Sequence, residues 1–385
     1  MWLFFRPFDT VFFSSGRPFS MGVDSWTEGI FPPNPSTIAG ALRSYLILSR
    51  GTVSDFYKRG YDDVGRITVD EKGEKHFSPG TMRIKGPLVF NEKFKIALFP
   101  IPLDLVVTKE KQRKQSKDSH RRSLYTLEFL KKPDFVVYPD DKPTHILWWR
   151  RKEQVENVQG FISDIGMESY LSGEIEIGEF FERGEVFVFE NKIGIARDRI
   201  ANVTREGHLY RIPMIRLNND IGFLVEVTNV SMDDGKGVSC LGAERKVAQL
   251  KQVDVSNNLF RTSKGDFILN DGLFKIYLST PAIFGKGWIP NWIDENTLEG
   301  EKNGLRLRLE ACVVGKPIKV GGWDLANEKP KPVFRAVPAG SVYYFRVIDG
   351  KVEPDLVLRT FHFNTISDVL SEEGFGLSFV GSVKT

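Results

Sequence analysis

Short strand-like segments separated by turn residues constrain the fold of this chain more than any other sequence feature. Residues 210–217, 222–227, 274–278, 305–309 and 341–347 alternate apolar and polar side chains as strands do. Helical spacing is limited to short stretches: residues 38–46, which end before a glycine, and 163–171. Many short strands with few helices predict an α+β fold, for which the ferredoxin-like split βαβ unit is a common small solution.

The length of 385 residues is more than one hydrophobic core usually supports, so two domains are expected. Residues 173–200 are interpreted as the bridge between them, which gives an N-terminal domain of residues 1–200 and a C-terminal domain of residues 201–385. Hydrophobic residues make up 41% of the chain and charged residues 27%, as in ordinary soluble globular proteins.

Cellular location is inferred from the cysteines and from apolar runs. Cys240 and Cys312 are the only cysteines and stand far apart, which argues against a disulfide framework or a zinc knuckle and favours the reducing cytoplasm. The N-terminus lacks a signal-peptide pattern, and no apolar run approaches the ~18 residues of a membrane span. A cytoplasmic protein that is not exported is expected.

Catalytic and metal-binding patterns are weak. The five histidines are His76, His120, His145, His208 and His362, and no two have the i, i+3 or i, i+4 spacing of ligands on one helix. The nucleophile-elbow and phosphate-loop motifs are also absent from the sequence. We therefore expect no metal and no cofactor. One enzymatic alternative stays open, in which His208 is the general base of metal-free RNA cleavage.

The most informative segment is a Gly/Pro-rich loop that begins near Arg17 and leads into a helix at residue 38. Ser36 and Thr37 are predicted to cap this helix, whose first turn has free backbone N–H groups that suit a phosphate. Arg43 would add positive charge a turn and a half later. The alternative is a proline-rich loop that caps a helix and binds nothing.

Local clusters of positive charge matter more than the net charge of +3. Residues 109–122 hold seven Lys or Arg against two acids, which predicts a mobile basic loop that contacts phosphates or is merely solvated. Arg197 and Arg199 begin an arginine-rich stretch near predicted strand ends. Arg245 and Lys246 follow a glycine turn that would allow close approach of a sugar-phosphate chain, with Glu244 orienting Arg245.

A glycine-rich loop near the C-terminus contains Gly374 and Gly376. It differs from the aromatic RNA-recognition octapeptide, because Glu373 stands where that motif has a basic residue. Base stacking by that motif is therefore not expected here.

The ordered combination of several motifs resembles the RAMP-protein family of the type III-B CRISPR Cmr complex that holds the 5′ end of the guide RNA. The motifs span nearly the whole chain. They are residues 16–19 (GRPF), 31–43 (FPPNPSTIAGALR), 99–105 (FPIPLDL), 241–246 (LGAERK) and 335–344 (RAVPAGSVYY).

The resemblance implies two ferredoxin-like RAMP domains with the division given above, a basic insertion near residues 105–125 and a glycine-rich C-terminal loop. It implies binding to the repeat-derived 5′ tag of the crRNA and contacts with the large polymerase-like subunit and the backbone RAMP subunits, with RNA cutting assigned to a backbone subunit. The RNA-binding residues expected on these grounds are Arg17, Ser36, Thr37, Arg43, Arg197, Arg199, Arg245, Lys246, Gly374 and Gly376.

Two alternatives to this function remain. One is a metal-free RAMP endoribonuclease that processes repeat RNA, with His208 as base and Lys246 or Arg245 stabilising the developing charge. The other is a scaffold that binds only proteins.

Overall fold

A computed structural model describes most of the chain. The described residues are 1–16, 28–109, 123–134, 142–178, 180–197, 204–232, 235–260, 267–348, 350 and 353–384, with the backbone alone at 196, 197 and 204–209. The helices in these ranges are α1 (Pro35–Arg50), α2 (Val53–Arg59), α3 (Asp164–Leu171), α4 (Arg183–Val186) and α5 (Pro354–Phe361), with 3-10 turns at Asn258–Phe260 and Ser371–Glu373.

The strands are mostly short, and the longest are Phe187–Arg197 and Thr204–Leu217. Up to residue 182 they are β1 (Trp2–Pro7), β2 (Gly65–Val69), β3 (Lys75–Pro79), β4 (Arg83–Asn91), β5 (Ile96–Pro100), β6 (Leu105–Thr108), β7 (Leu124–Thr126), β8 (Glu128–Lys131), β9 (His145–Trp148), β10 (Val155–Glu156), β11 (Gly160–Ser163), β12 (Glu176–Ile177) and β13 (Phe181–Glu182). They continue with β14 (Phe187–Arg197), β15 (Thr204–Leu217), β16 (Ile221–Thr228), β17 (Lys236–Cys240), β18 (Val247–Val253), β19 (Leu273–Leu278), β20 (Glu299–Lys302), β21 (Leu305–Val313), β22 (Ile318–Val320), β23 (Trp323–Asp324), β24 (Lys329–Pro330), β25 (Phe334–Ala336), β26 (Val342–Val347), β27 (Asn364–Thr365) and β28 (Leu377–Ser382).

The first large sheet has eight strands in the order β13-β11-β5-β4-β16-β1-β18-β17. Its centre pairs β1 antiparallel with both β16 and β18, and β16 antiparallel with β4. With α1 between β1 and β4, this is a split βαβ unit whose strands β1, β4, β16 and β18 take the ferredoxin-like spatial order 4-1-3-2.

The second large sheet has six strands in the order β20-β21-β26-β19-β28-β27. Strand β19 pairs antiparallel with β26 and β28, and β26 pairs with β21. Strands β19, β21, β26 and β28 therefore take the same 4-1-3-2 spatial order as the core strands of the first sheet. Helix α5 lies between β26 and β28 in the chain. The prediction of an α+β fold with two ferredoxin-like domains is thereby confirmed.

The two sheets stack face to face, with α1 and α5 on the outer faces. Leu3 and Phe5 on one face of β1 pack with residues of α1 in one core. Phe4 on the opposite face joins a second core that contains Tyr277 of β19 and Phe379 of β28. The other face of the second sheet packs against α5. The shared middle core makes the two halves one packed body.

A buried carboxylate links the two sheets in that middle core. Asp104, which is 0% exposed, accepts a hydrogen bond from the Tyr170 hydroxyl on α3 at 2.8 Å. It also accepts one from the Tyr344 hydroxyl on β26 at 2.6 Å. Burial raises the pKa of both tyrosines far above the ordinary range, so they remain donors at neutral pH. A buried carboxylate that holds two such donors stabilises the contact between the domains.

The start of α1 differs from the sequence prediction. The predicted cap pair Ser36 and Thr37 lies inside α1, because Pro35 takes the first helical position and Asn34 becomes the cap residue. The predicted division at residue 200 falls between the strands of the β14–β15 hairpin, and the first sheet continues to Val253 because β16 and β18 flank β1.

Candidate nucleic-acid interface

Residues 12–16 form a segment to which two distant parts of the chain are hydrogen-bonded. The N–H of Ala243 donates to the carbonyl of Phe12 at 2.9 Å. The N–H of Gly16 donates to the carbonyl of Lys319 at 3.4 Å. Four residues of extended chain span at most about 14 Å, so the turn at 241–246 and β22 lie close together. This segment leads directly to Arg17.

The turn at residues 241–246 presents Arg245 to solvent. The N–H of Leu241 donates to the carbonyl of Lys246 at 2.8 Å and closes the turn. Gly242, Glu244 and Arg245 all take left-handed backbone angles, with φ of 74°, 60° and 51°. Arg245 is exposed and, among the described residues, has no hydrogen bond or ion pair. Its guanidinium is therefore available to an external anion.

The neighbours of Arg245 are engaged in ion pairs. Lys246 lies 3.4 Å from a carboxylate oxygen of Asp9. A backbone hydrogen bond from Thr10, together with Lys246, lowers the pKa of Asp9 below its usual value. Glu244 pairs with Lys192 of β14 at 3.2 Å instead of orienting Arg245 as the sequence suggested. The turn is thus fastened to the β14–β15 hairpin, the hairpin that carries Arg197.

Sequence reasoning missed two cations beside Gly16. Lys319 of β22 and Arg335 of β25 are direct cross-strand partners and both are exposed. Among the described residues neither forms an ion pair with an acid. Like charges placed opposite each other destabilise a strand pair, so an anion at this place would relieve the repulsion. The alternation of apolar and polar residues at 318–320 and 334–336 could have indicated two strands. Their pairing, which brings the two cations together, depends on tertiary structure and could not be read from the sequence.

Gly16 and Gly321 bring this ribbon against the N-terminal segment. A Cβ on Gly16 would lie 2.5 Å from the backbone nitrogen of Gly321, so no larger residue fits without movement. An antiparallel bridge also joins Ser14 to Gly29. Lys319 and its cross-strand partner Arg335 therefore lie beside Gly16.

The first turn of α1 offers less than the sequence suggested. Ser36 and Thr37 are partly exposed, but the N–H of Thr37 already donates to the carbonyl of Asn34 at 2.9 Å. Arg43 points to the interior of the protein. It pairs with Glu373 at 2.5 Å, and its side chain is 15% exposed. Its guanidinium also lies 5.1 Å from the centre of the Phe77 ring.

The glycine-rich loop is packed between the domains. Gly374 and Gly376 are buried. A Cβ on Gly374 would lie 2.3 Å from the carbonyl oxygen of Gly86 in β4, and one on Gly376 would lie 2.5 Å from the backbone nitrogen of Ser367. Their small size serves these close backbone contacts. The predicted site residues thus fall into an exposed group around Arg245 and an interior group around Arg43.

Several predicted residues lie outside the described part of the chain. Arg17, Arg199 and residues 110–122 belong to this set. Arg197 ends β14 and His208 lies within β15, with the backbone alone described at both.

Two searches of the described residues gave negative results. No group of three or more His, Cys, Asp or Glu side chains there is placed to hold a metal ion. None of the described helices has both the length and the apolar character needed to cross a bilayer.

Comparison with known families decides the relationship. The model of the family described as CRISPR-associated protein (Cas_Cmr3) matches residues 3–383. The chain belongs to the Cas_Cmr3 family. It is accordingly a subunit of a type III CRISPR effector, and its ferredoxin-like domains are RAMP domains, as the sequence motifs suggested.

Solved structures similar to this Cas_Cmr3 chain come from type III complexes. A chain of the type III-B Cmr-beta complex bound to cognate target RNA has 15% identity and a TM-score of 0.49, with 89% of this chain and 86% of that chain covered. A chain of the type III-B Cmr-beta complex bound to cognate target RNA and AMPPnP has 15% identity and a TM-score of 0.48, with 93% of this chain and 92% of that chain covered. A chain of the Csm3-Csm4 subcomplex in the type III-A CRISPR-Cas interference complex has 13% identity and a TM-score of 0.35, with 91% of this chain and 95% of that chain covered. A search of curated protein sequences gives no match.

Proposed function

We propose that this Cas_Cmr3 protein binds the repeat-derived 5′ tag of the crRNA and anchors the large polymerase-like subunit beside the backbone RAMP subunits. The observation that carries the proposal is the group of unpaired, exposed cations along residues 12–16. Arg245 lies at one end of that segment, and Lys319 and Arg335 lie at the other. We call this group the cation track.

The chemistry of the cation track suits a single RNA strand. Exposed Arg and Lys side chains without acidic partners neutralise phosphates and release counterions, which gives affinity without sequence preference. Selection of the tag would come from splayed bases, the form in which proteins usually read RNA sequence. Arg17 and Arg199, together with the basic residues 109–122, remain proposed contributors, as do Ser36, Thr37 and Arg197.

The interior group takes a supporting part in this proposal. Arg43 and Gly374 join the two RAMP domains through Glu373 and the carbonyl of Gly86, whereas Gly376 packs against Ser367 within the second domain. The cation track draws residues from both domains. The contribution of Arg43 and Gly374 to RNA binding is therefore through the relative position of the domains rather than through direct contact with phosphate.

A surface for protein partners lies on the second domain next to the cation track. Trp323, Leu325 and Val333 are 55%, 80% and 49% exposed. Exposed large apolar side chains grouped beside polar residues are typical of protein interaction sites. We assign this surface to a neighbouring subunit of the effector complex.

The proposed role is that of a non-catalytic subunit. Incubation of repeat RNA with the purified protein in EDTA tests this role. The expected result is intact RNA from the native protein and from His208→Ala alike. Specific cleavage that His208→Ala abolishes would establish the endoribonuclease instead.

Photocrosslinking in the reconstituted complex tests tag binding directly. With 4-thiouridine placed within the 5′ tag, crosslinked peptides are expected from the 241–246 turn and from residues 318–336. Placement of 4-thiouridine at the 3′ end of the same guide is the control. Crosslinks from the tag to other subunits alone would contradict the proposal and favour a scaffold that binds only proteins.

A further inference from the structure

A cavity separate from the cation track opens beside the contact between the two domains. Its volume is about 310 Å³, and it is lined by residues of β8, of the segment after α3 and of the end of β28. This volume is at the lower end of the range for small-molecule sites, about 300–1,000 Å³. Of the residues assigned to RNA binding from the sequence, none that the structure describes lines it.

Lys275 of β19 is the unusual group in this cavity. The residue is 2% exposed, yet it lines the cavity. Its ammonium lies 3.4 Å from the centre of the Tyr170 ring. Among the described residues it has no hydrogen-bond or ion-pair partner, and the nearby carboxylate of Asp104 accepts from two tyrosines. A buried ammonium without such a partner is costly, and a bound anion would offset that cost.

The pKa of Lys275 is consistent with this position. Burial lowers it from 10.5 to about 8, while the charge of Asp104 acts in the opposite direction. The amine is therefore mostly protonated at neutral pH and available to an anion.

The rest of the lining suits a ligand with an apolar body. Leu127, Ile175 and Val383 supply apolar surface, and Trp149 supplies an aromatic ring. At the rim, the Arg151 guanidinium lies 5.2 Å from the centre of that Trp149 ring. Four cations line the cavity against two acids. The cations are Arg150, Arg151, Lys275 and Lys384, and the acids are Glu128 and Glu174. One acid, Glu128, is already paired with Arg150 at 3.7 Å.

We propose that this cavity binds a small organic anion, with its anionic group on Lys275 and an apolar or aromatic body against Trp149 and Ile175. The site is independent of RNA binding at the cation track. Nucleoside monophosphates and aromatic carboxylates share this chemistry, and competition separates them.

Pyridoxal 5′-phosphate, an aromatic anion with an aldehyde, is a suitable probe of the unaltered protein. The Lys275 amine attacks the aldehyde carbon, the C=N bond forms and the carbonyl oxygen leaves as water. Borohydride then delivers hydride to that carbon and fixes the label as a secondary amine, which peptide mapping locates. Lys131, an exposed lysine on β8 outside the cavity lining, is the internal control.

Labelling of Lys275 is expected to saturate at probe concentrations about tenfold lower than labelling of Lys131, since a charge-assisted contact contributes about that factor. AMP should protect Lys275 from labelling if the ligand is a nucleoside monophosphate, and 2-naphthoate should protect it if the ligand is an aromatic carboxylate. Inorganic phosphate alone should protect it less than the better of these two. Equal labelling of both lysines, no labelling of Lys275, or equal protection by phosphate alone would overturn the proposal.

Calorimetry with the better competitor gives a second, independent test. Lys275→Met keeps the length and apolar volume of the side chain and should weaken binding about tenfold or more. Lys131→Met should bind as the native protein does. Binding to native protein should also weaken as the pH rises through 8, and affinity unchanged by both Lys275→Met and pH would exclude the assigned role.

Discussion

Arg43 on α1 donates to the carboxylate of Glu373 at 2.5 Å, although 330 residues separate the two in sequence. The side chains are only 15% and 8% exposed. The pair joins the helix of the first RAMP domain to the loop that precedes the last strand of the second. A residue whose spacing suggested a phosphate ligand is therefore part of the contact between the domains.

Removal of one partner of this pair should destabilise the fold. Arg43→Gln leaves Glu373 without its partner at a largely buried position, and we expect a loss of about 3 kcal/mol in the free energy of unfolding. Urea unfolding measures it, and the double variant Arg43→Gln with Glu373→Gln should recover part of the loss. Unchanged stability combined with weaker RNA binding would instead assign Arg43 to the RNA.

Arg245 should contribute more to tag binding than Lys246 does. Arg245 has no partner among the described residues, whereas Lys246 shares its charge with Asp9. Arg245→Ala should therefore weaken binding and reduce the slope of log K against log salt by about 1. Lys246→Ala should have a smaller effect on both.

Fluorescence anisotropy of labelled tag RNA over a range of salt concentrations measures these slopes. Lys93→Ala, which removes one exposed cation far from the turn in sequence, is the matched control for charge. A slope that Arg245→Ala does not change would refute its contact with phosphate.

Arg335→Glu should change stability and RNA affinity in opposite directions. It replaces a like-charge pair with Lys319 by an opposite-charge pair, so the ribbon should gain about 0.5 kcal/mol. The same change places a negative charge on the cation track, and affinity for tag RNA should fall about tenfold or more. Thermal unfolding and anisotropy measure the two effects, and a parallel change in both would argue against the track.

The stability of the protein should depend on pH through Lys275. Burial lowers its pKa from 10.5 to about 8, so between these values the unfolded chain holds a proton that the folded chain has lost. The free energy of unfolding therefore rises with pH in this window. Lys275→Met is the reference, because it retains Tyr170 and Tyr344. The raised pKa values of these tyrosines affect the pH dependence of stability in both proteins alike.

From pH 7.5 to 10, native protein should gain about 2 kcal/mol relative to Lys275→Met. Urea unfolding of both proteins at each pH measures this difference. A constant difference, or one that changes in favour of the variant, would mean that Lys275 is not held with a lowered pKa.

Local features of the fold could be predicted from the sequence. Gly51 ends α1 and the alternation at residues 222–227 and 274–278 marks strands, because these signals act over a few residues. The place of β16 beside β1 could not be predicted, because the paired residues Phe4 and Leu224 are 220 positions apart in sequence and come together only in the tertiary structure. The extension of the first sheet beyond residue 200 could not be predicted for the same reason.

The candidate site shows the same limit. A turn signal in residues 241–246 identified Arg245, whereas Lys319 and Arg335 become neighbours only when β22 and β25 pair. Burial is equally nonlocal. Arg43 and Lys275 are ordinary cations in sequence, and only the packing of the two sheets determines which of them faces solvent, a carboxylate or a cavity.

Sequencing of the small RNAs that copurify with the native effector complex, after crosslinking to this subunit, tests the central claim most directly. The account predicts reads that share one repeat-derived 5′ end, with crosslink positions within that tag, and a marked loss of these reads when Arg245 and Arg335 are replaced by alanine. Reads with unrelated 5′ ends, or crosslinks confined to the guide's 3′ end, would contradict it.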